Sequence, residues 1–298
     1  MKVAIVGMGI QGVKRKKFLG SDFACSVDKF KNSDYSSIQK VPLKDYNAVF
    51  ICLPDKEKLN VVNYCIQNKK HILIEKPFTL NNSKTFSKLQ KKARLNKVVC
   101  YTAYNHRFEP NFIKMKKLID SKKLGKTYLC KFFYGNGTAK LVKKNWRDTG
   151  KGVRLDLTPH LLDLCNFWFG SKIGNFKIVS SNNFENKASD HALIVSEKSN
   201  PKIHIEISYV MWKNTFSCDL LASKGSAHIS NLCKWGKSTF SYRKRKLPSG
   251  KPIEIKESII KKDPTWLLEY KNFKKIIKMK RKTDFLNDIW IQKQISKI

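Results

Sequence analysis

The chain lacks several features that would narrow its function at once. No apolar run approaches the ~20 residues needed to span a bilayer, and no basic-then-apolar leader opens the sequence. A cytoplasmic protein without a membrane partner is therefore expected. Its eight cysteines are scattered singly, with no Cys-x-x-Cys and no Cys/His cluster of metal-ligand spacing. Reduced core thiols are expected, not a disulfide frame or a metal centre. Acidic residues are few, 23 against 60 basic ones, which leaves a net charge of +37. Such an imbalance draws attention to nucleic acid. Yet arginine is scarce too, at 8 of those 60, and readers of bases and phosphates favour its two-pronged fork. Lysine covers nearly every helical segment, including 14–17, 88–92, 114–117 and 274–282. An even coat of this kind steers anionic ligands without defining a nucleic-acid site, and no nucleic-acid partner is expected.

What is present suits a globular protein of two domains: 298 residues, 41% of them hydrophobic, with ordinary glycine and proline counts. "KVAIVGMGIQG" reads as a buried strand, then Gly7-x-Gly9-x-x-Gly12, then a helix carrying "VKRKKFL". A lone glycine triplet of this spacing says little; one that follows a strand and opens a helix is a dinucleotide-binding context. Gly7 makes the tight turn, Gly9 admits a pyrophosphate to the backbone, and Gly12 lets helix and strand pack closely, with Ile10 and Gln11 at the helix start. The next strand, "FACSVD", ends in Asp28, a carboxylate suited to a ribose 2′-hydroxyl and repulsive to a 2′-phosphate. NAD is favoured over NADP, although Lys29 softens the preference and NADP stays possible.

Alternation continues with "NAVFICLP" as a strand, 56–68 as a helix, "HILIE" as a strand, 81–96 as a helix and "VVCYTAY" as a strand. This is the pattern of a doubly wound α/β domain. Leu53-Pro54 and Glu75-Lys76-Pro77 then stand at the carboxyl ends of parallel strands, where such sheets bind ligands. Asn105 and Arg107 follow the last of these strands; Arg107 reads either as a ligand-facing group or as half of a buried ion pair.

Beyond residue 120 the texture becomes strand-rich, with "TYLCKFFYG", "FKIVSS", "HALIVSE", "KIHIEISYVMW", "TFSCDLLAS", "SAHIS" and "STFSYRKRK", then helices at about 264–278 and 284–297. Alternating strands with short turns suggest an antiparallel sheet covered on one face. The chemistry of this half is concentrated in "WRDTGKGVRLDLTPHLLDLCNFWFG", residues 146–170. Thr158 is a good N-cap and Pro159 a good first helical residue. His160 falls in the first turn, where the helix dipole disfavours imidazolium and leaves a ring able to accept a proton. Asp156 or Asp163 could orient that ring. Trp146 and Arg147 read as lining cofactor or substrate, with packing as the alternative for Trp146. Arg243 to Lys246 read as a solvated loop, and His71, His106, His191, His204 and His228 as structural.

Several of these motifs in one order, Gly7 to Gly12, Asp28, Glu75-Lys76-Pro77, "YNHRFEP" (104–110) and "DLTPHLLD" (156–163), resemble the Gfo/Idh/MocA family of NAD(P)-dependent sugar and inositol oxidoreductases. The resemblance implies a Rossmann domain over 1–120, with a parallel doubly wound sheet. It also implies an α+β domain over 121–298 with a large open, mostly antiparallel sheet. It implies that Lys76 is catalytic, that Lys76–Pro77 is cis, and that Asp156 and His160 face the nicotinamide. Leu53, Pro54, Glu75 and Lys76, at the strand ends, join the cofactor set with Trp146 and Arg147, and the resemblance adds Asn105; it also implies a homodimer or homotetramer acting on a sugar-like substrate. Two departures stand out. Where the family often has Thr-Pro-Asn-x-x-His, this chain has "LPDKEK", with Lys58 at the place of the histidine. The glycine triplet before Asp156 is reduced to Gly150-Lys151-Gly152.

Overall fold

The computed structural model describes residues 1–80 and 82–298. They divide into two compact units: Met1–Asn105 with Thr265–Ile289, and His106–Pro264 with Trp290–Ile298.

In the first unit the strands β1 (Val3–Val6), β2 (Phe23–Val27), β3 (Ala48–Ile51), β4 (His71–Glu75) and β5 (Cys100–Ala103) form one sheet in the order β2-β1-β3-β4-β5, every pair parallel. All residues of β1 and β3 are buried, as a sheet covered on both faces requires. Helices α1 (Ile10–Lys16), α2 (Asp55–Gln67) and α3 (Ser83–Leu95) make the crossovers. The helix expected over 81–96 begins at Ser83, where Asn82 caps it by accepting the Thr85 N–H at 2.9 Å; Asn81 lies outside the described residues.

The expected boundary at residue 120 falls instead at Asn105, and residues 265–289, expected in the second domain, belong to the first. The reason is apolar area. Val3, Ile5, Phe50 and Leu73 form one face of the sheet, and the helix Thr265–Lys278 lays Tyr270 and Phe273 on it, 5.7 and 5.9 Å from the Phe50 ring. Phe285 packs likewise between Phe78 and Phe86, at 5.8 and 5.5 Å, on the other face.

The second unit is an eight-stranded sheet flanked by α4 (Pro110–Asp120), α5 (Ala139–Val142), α6 (Val153–Asp156) and α7 (Thr158–Phe169). Its strands are β6 (Thr127–Gly137), β7 (Phe176–Asn182), β8 (His191–Ser196), β9 (Lys202–Ser208), β10 (Val210–Ala222), β11 (Gly225–Ser230), β12 (Ser238–Lys244) and β13 (Ile253–Ile259). Their order is β13-β12-β11-β10-β6-β9-β8-β7, antiparallel except where β6 runs parallel to β9. Alternation does what it promised: Cys130, Phe132, Phe216, Cys218 and Leu220 are buried on one face. There Phe112 meets Phe216 at 5.0 Å and Trp168 at 5.6 Å.

Three local expectations change. The run 202–212 is not one strand. It breaks at Tyr209, whose N–H turns to the Asp190 carbonyl (2.7 Å), and the chain then continues through 215 as β10. Arg243 and Lys244 lie in β12, with Arg243 donating to Glu254 at 3.2 Å. Finally, β13 is an edge strand whose residues are nearly all exposed, so no buried face marks it in the sequence. Seven of the eight free thiols are buried, in keeping with core use.

Candidate active site

The glycine turn separates folding needs from ligand needs. A Cβ on Gly7, at φ +94°, would meet the Cys52 carbonyl at 2.6 Å, and one on Gly12 would meet the Gly7 carbonyl at 2.0 Å. Both glycines are demanded by packing. A Cβ on Gly9 would meet nothing within 4 Å, so its bareness serves an approach from outside the fold, as a pyrophosphate cradle needs. Ile10 is exposed at the helix start, and the buried Gln11 Oε1 has no hydrogen-bond partner among the described residues. Asp28 stands beside this loop. Its Oδ2 accepts the Met8 N–H at 2.6 Å, and its Oδ1 accepts those of Phe30 and Lys31 at 2.8 and 3.0 Å. Burial opposes its charge, but the three amides outweigh burial and hold its carboxyl below the usual range. Three of roughly four acceptor positions are thus filled, and the carboxylate stays ionised.

The Glu75-Lys76-Pro77 segment closes β4, and Lys76–Pro77 is cis, as the resemblance implied. Glu75 is not a loose surface charge. Arg15 on α1 donates to its Oε1 at 2.7 Å and to Glu269 Oε2 at 2.6 Å, with the guanidinium 4.4 Å from the Trp266 ring. Burial works against the Arg15 charge, and the two carboxylates more than offset it. Lys58, the residue at the departing histidine position, lies buried beneath the same turn. Its ammonium donates to the Glu75 carbonyl at 2.7 Å, to the Pro77 carbonyl, and to Asp55 at 3.2 Å. Desolvation lowers its pKa, while Asp55 and Glu75 partly restore it. Asp55 in turn receives the Thr79 N–H and hydroxyl. Lys76 therefore sits between two carbonyls pinned by one buried lysine. Leu53 packs into the core, Pro54 precedes α2, and the Asn105 amide donates to Thr265 at 2.8 Å.

In the second unit, Thr158 is not the cap. Leu157 is already helical (φ −92°, ψ −37°) because α6 runs directly into α7, so Thr158 and Pro159 are helical residues and Thr158 is fully buried. His160 remains in the first turn. Asp156 is buried, accepts the Tyr209 hydroxyl at 3.1 Å and forms an ion pair with Arg147, whose Nε lies 3.1 Å away without donating to it, while Arg147 lies 5.3 Å from the Trp146 ring. Of the two carboxylates offered as orienters, Asp163 is 1% exposed and gripped by Arg107, whose Nε donates at 2.8 and 2.9 Å and Nη2 at 2.5 Å. The ion-pair alternative for Arg107 is the one realised. His106, read as structural, stacks on His160 with centroids 4.0 Å apart and 21° between planes. Tyr134 lies 5.8 Å from His106 and 6.5 Å from His160. Lys234 donates to His106 Nε2 and Tyr134 Oη at 3.4 Å. Sequence reading missed Tyr134 and Lys234; the one available signal was the position of His106 inside "YNHRFEP".

Residues 4–104 match the oxidoreductase family with an NAD-binding Rossmann fold, and residues 112–228 match the GFO/IDH/MocA C-terminal domain. The chain belongs to the Gfo/Idh/MocA family. One Gfo/Idh/MocA relative, myo-inositol 2-dehydrogenase of Thermotoga maritima, is 24% identical over 127 residues, 43% of this chain and 37% of that protein. The aligned stretch thus spans well under half of that relative. Among solved structures, levoglucosan dehydrogenase in complex with NADH superposes with a TM-score of 0.81 at 14% identity, covering 100% of this chain and 95% of that one. UDP-N-acetylglucosamine 3-dehydrogenase from Acidithiobacillus ferrooxidans gives 0.80 at 17%, covering 100% and 96%. At such identities the likeness speaks for the fold. The open face at Gly9 and the ionised Asp28 fit the NAD that the Gfo/Idh/MocA N-terminal domain binds.

Proposed function

We propose that this protein is an NAD-dependent dehydrogenase acting on a secondary alcohol of a sugar, nucleotide sugar, sugar acid or cyclitol. The observation that carries the reading lies within the first unit: a glycine cradle open only at Gly9, together with a lysine, Lys76, whose turn is pinned on both sides by Lys58. A binding protein without turnover would have no use for a buried device that fixes an ammonium. The bound nicotinamide supplies the hydride acceptor. His160 takes the hydroxyl proton as general base, Asp156 stabilises the ring that carries it, and Lys76 hydrogen-bonds the developing alkoxide. Arg147 and Tyr209 hold Asp156 in place for that task. The relatives named above act on a cyclitol, an anhydrosugar and a nucleotide sugar by their names, which supports this range of substrates.

The test is NADH formation from NAD across myo-inositol, aldoses, sugar acids and UDP-sugars, with NADP in parallel. Lys76→Ala and His160→Ala should each lower turnover by about 10²- to 10⁴-fold while leaving NAD affinity unchanged. Near-normal rates in either variant would remove its assigned role. Tight NAD binding with no turnover on any substrate would favour a dinucleotide-binding sensor instead.

A further inference from the structure

Most lysines of this chain are exposed, but Lys234 is set into a cluster of rings. It is the middle residue of the turn Cys233–Trp235, half-buried, with its ammonium 4.6 Å from the Trp235 ring and 5.8 Å from the Tyr134 ring. Its hydrogen-bond acceptors are His106 Nε2 and Tyr134 Oη, and His106 is the ring stacked on His160. Among the described residues these partners are neutral or aromatic. They hold a cation in position without cancelling its charge. The field of Lys234 reaches the Glu109 carboxylate, which also feels Asp263, and both Glu109 oxygens are committed to the Cys233 N–H and thiol, each at 3.1 Å. An ammonium taken partly out of water and left without an ion pair is costly. An incoming anionic oxygen would complete it.

We propose that Lys234 is a substrate-recognition residue and that the substrate carries an anionic group, either the carboxylate of a sugar acid or the diphosphate of a nucleotide sugar. The assignment rests on His160 being the base, since Lys234 reaches it through one imidazole. Lys234 then fixes which alcohol is presented to His160: the one a short, set distance from the anionic group. Tyr134 and His106 keep the ammonium aimed, and the Trp235 ring offers an apolar face to the carbons of a sugar. The general lysine coat steers anions from a distance and is weakened by salt. A single, ring-held ammonium discriminates at contact.

The experiment is calorimetric titration of the NAD-loaded protein with galacturonate against galactose, and with UDP-N-acetylglucosamine against N-acetylglucosamine. NADH formation is followed in parallel. At least one anionic ligand should bind about 10- to 100-fold tighter than its neutral counterpart, the range of a charge-assisted hydrogen bond. Which one does so separates carboxylate from phosphate recognition. Lys234→Gln should abolish the preference and Lys234→Arg should keep most of it, while Lys275→Gln, in the coat, should leave it intact. Equal affinity within both pairs, no binding of either anion, or a preference surviving in Lys234→Gln would overturn the proposal. A Lys234-dependent preference without NADH formation would instead sink the dehydrogenase reading alone. Turnover of neutral polyols with no anionic preference would sink this proposal alone.

Discussion

Removing Arg15 should cost the first unit a large fraction of its stability. The Arg15 side chain is 3% exposed, Glu75 11% and Glu269 0%, and both carboxylates are hydrogen-bonded to the one guanidinium. Arg15→Met keeps much of the stem volume and strands two charges away from water. Breaking a buried pair in this way costs about 3–5 kcal/mol. At roughly 2–4 °C per kcal/mol, the melting transition should fall by about 6–20 °C. The sign of the pH dependence follows. Without Arg15 both low-exposure carboxylates lose its counter-charge, so protonating them relieves the variant more than the parent. Its deficit should therefore shrink at mildly acidic pH and be full at neutral pH. Arg15→Met combined with Glu75→Gln and Glu269→Gln should regain at least half of the loss, since no charge is then stranded. Scanning calorimetry of the whole protein reads all of these. A loss of less than about 1 kcal/mol for Arg15→Met, or a deficit that grows on acidification, would refute the buried ion triad.

Two further substitutions probe the cofactor turn. Lys58→Met leaves the Glu75 and Pro77 carbonyls without their donor, at about 1–3 kcal/mol for each buried acceptor. It should lower kcat by at least about tenfold, with the Kd for NAD unchanged in a fluorescence titration, because the loop that aims Lys76 loosens while the glycine cradle does not. Unchanged kcat would show that the clamp has no bearing on turnover. Asp28→Asn removes the charge that repels a 2′-phosphate while keeping an oxygen for the Met8 amide. The ratio of NADP to NAD affinity should rise roughly ten- to thirtyfold, the scale of unit charges meeting near solvent. A ratio that stays put would mean that Asp28 serves the loop and not the ribose.

How far the sequence reveals all this depends on whether a residue's neighbours are local. Gly7 and Gly12 are legible because the clashes a Cβ would make lie within the turn or one strand away. The alternation of β6 and β10 is legible because one face of each is buried throughout. Amphipathic periodicity in 265–278 announces a buried face but not what covers it, so its place on Phe50 of the first sheet could not be read. Thr158 misleads because the cap rule assumes a free helix start, and α6 supplies a helical turn ahead of it. Lys58 and Lys234 are the extreme cases. A lysine in a lysine-rich chain reads as solvated, and only tertiary placement under two carbonyls, or among three rings, gives either one a task.

The helix carrying Tyr270 and Phe273 comes late in the chain, yet it covers the sheet laid down first. On the ribosome, the strands up to Ala103 emerge long before residues 265–278 are made, a delay of roughly ten to forty seconds at about 5–20 residues per second. During that interval Val3, Ile5, Phe50 and Leu73 form a half-built sheet with one greasy side facing water. The nascent chain thus lives with an exposed apolar surface that a much later segment will hide, and chaperones that bind such surfaces have that window in which to act.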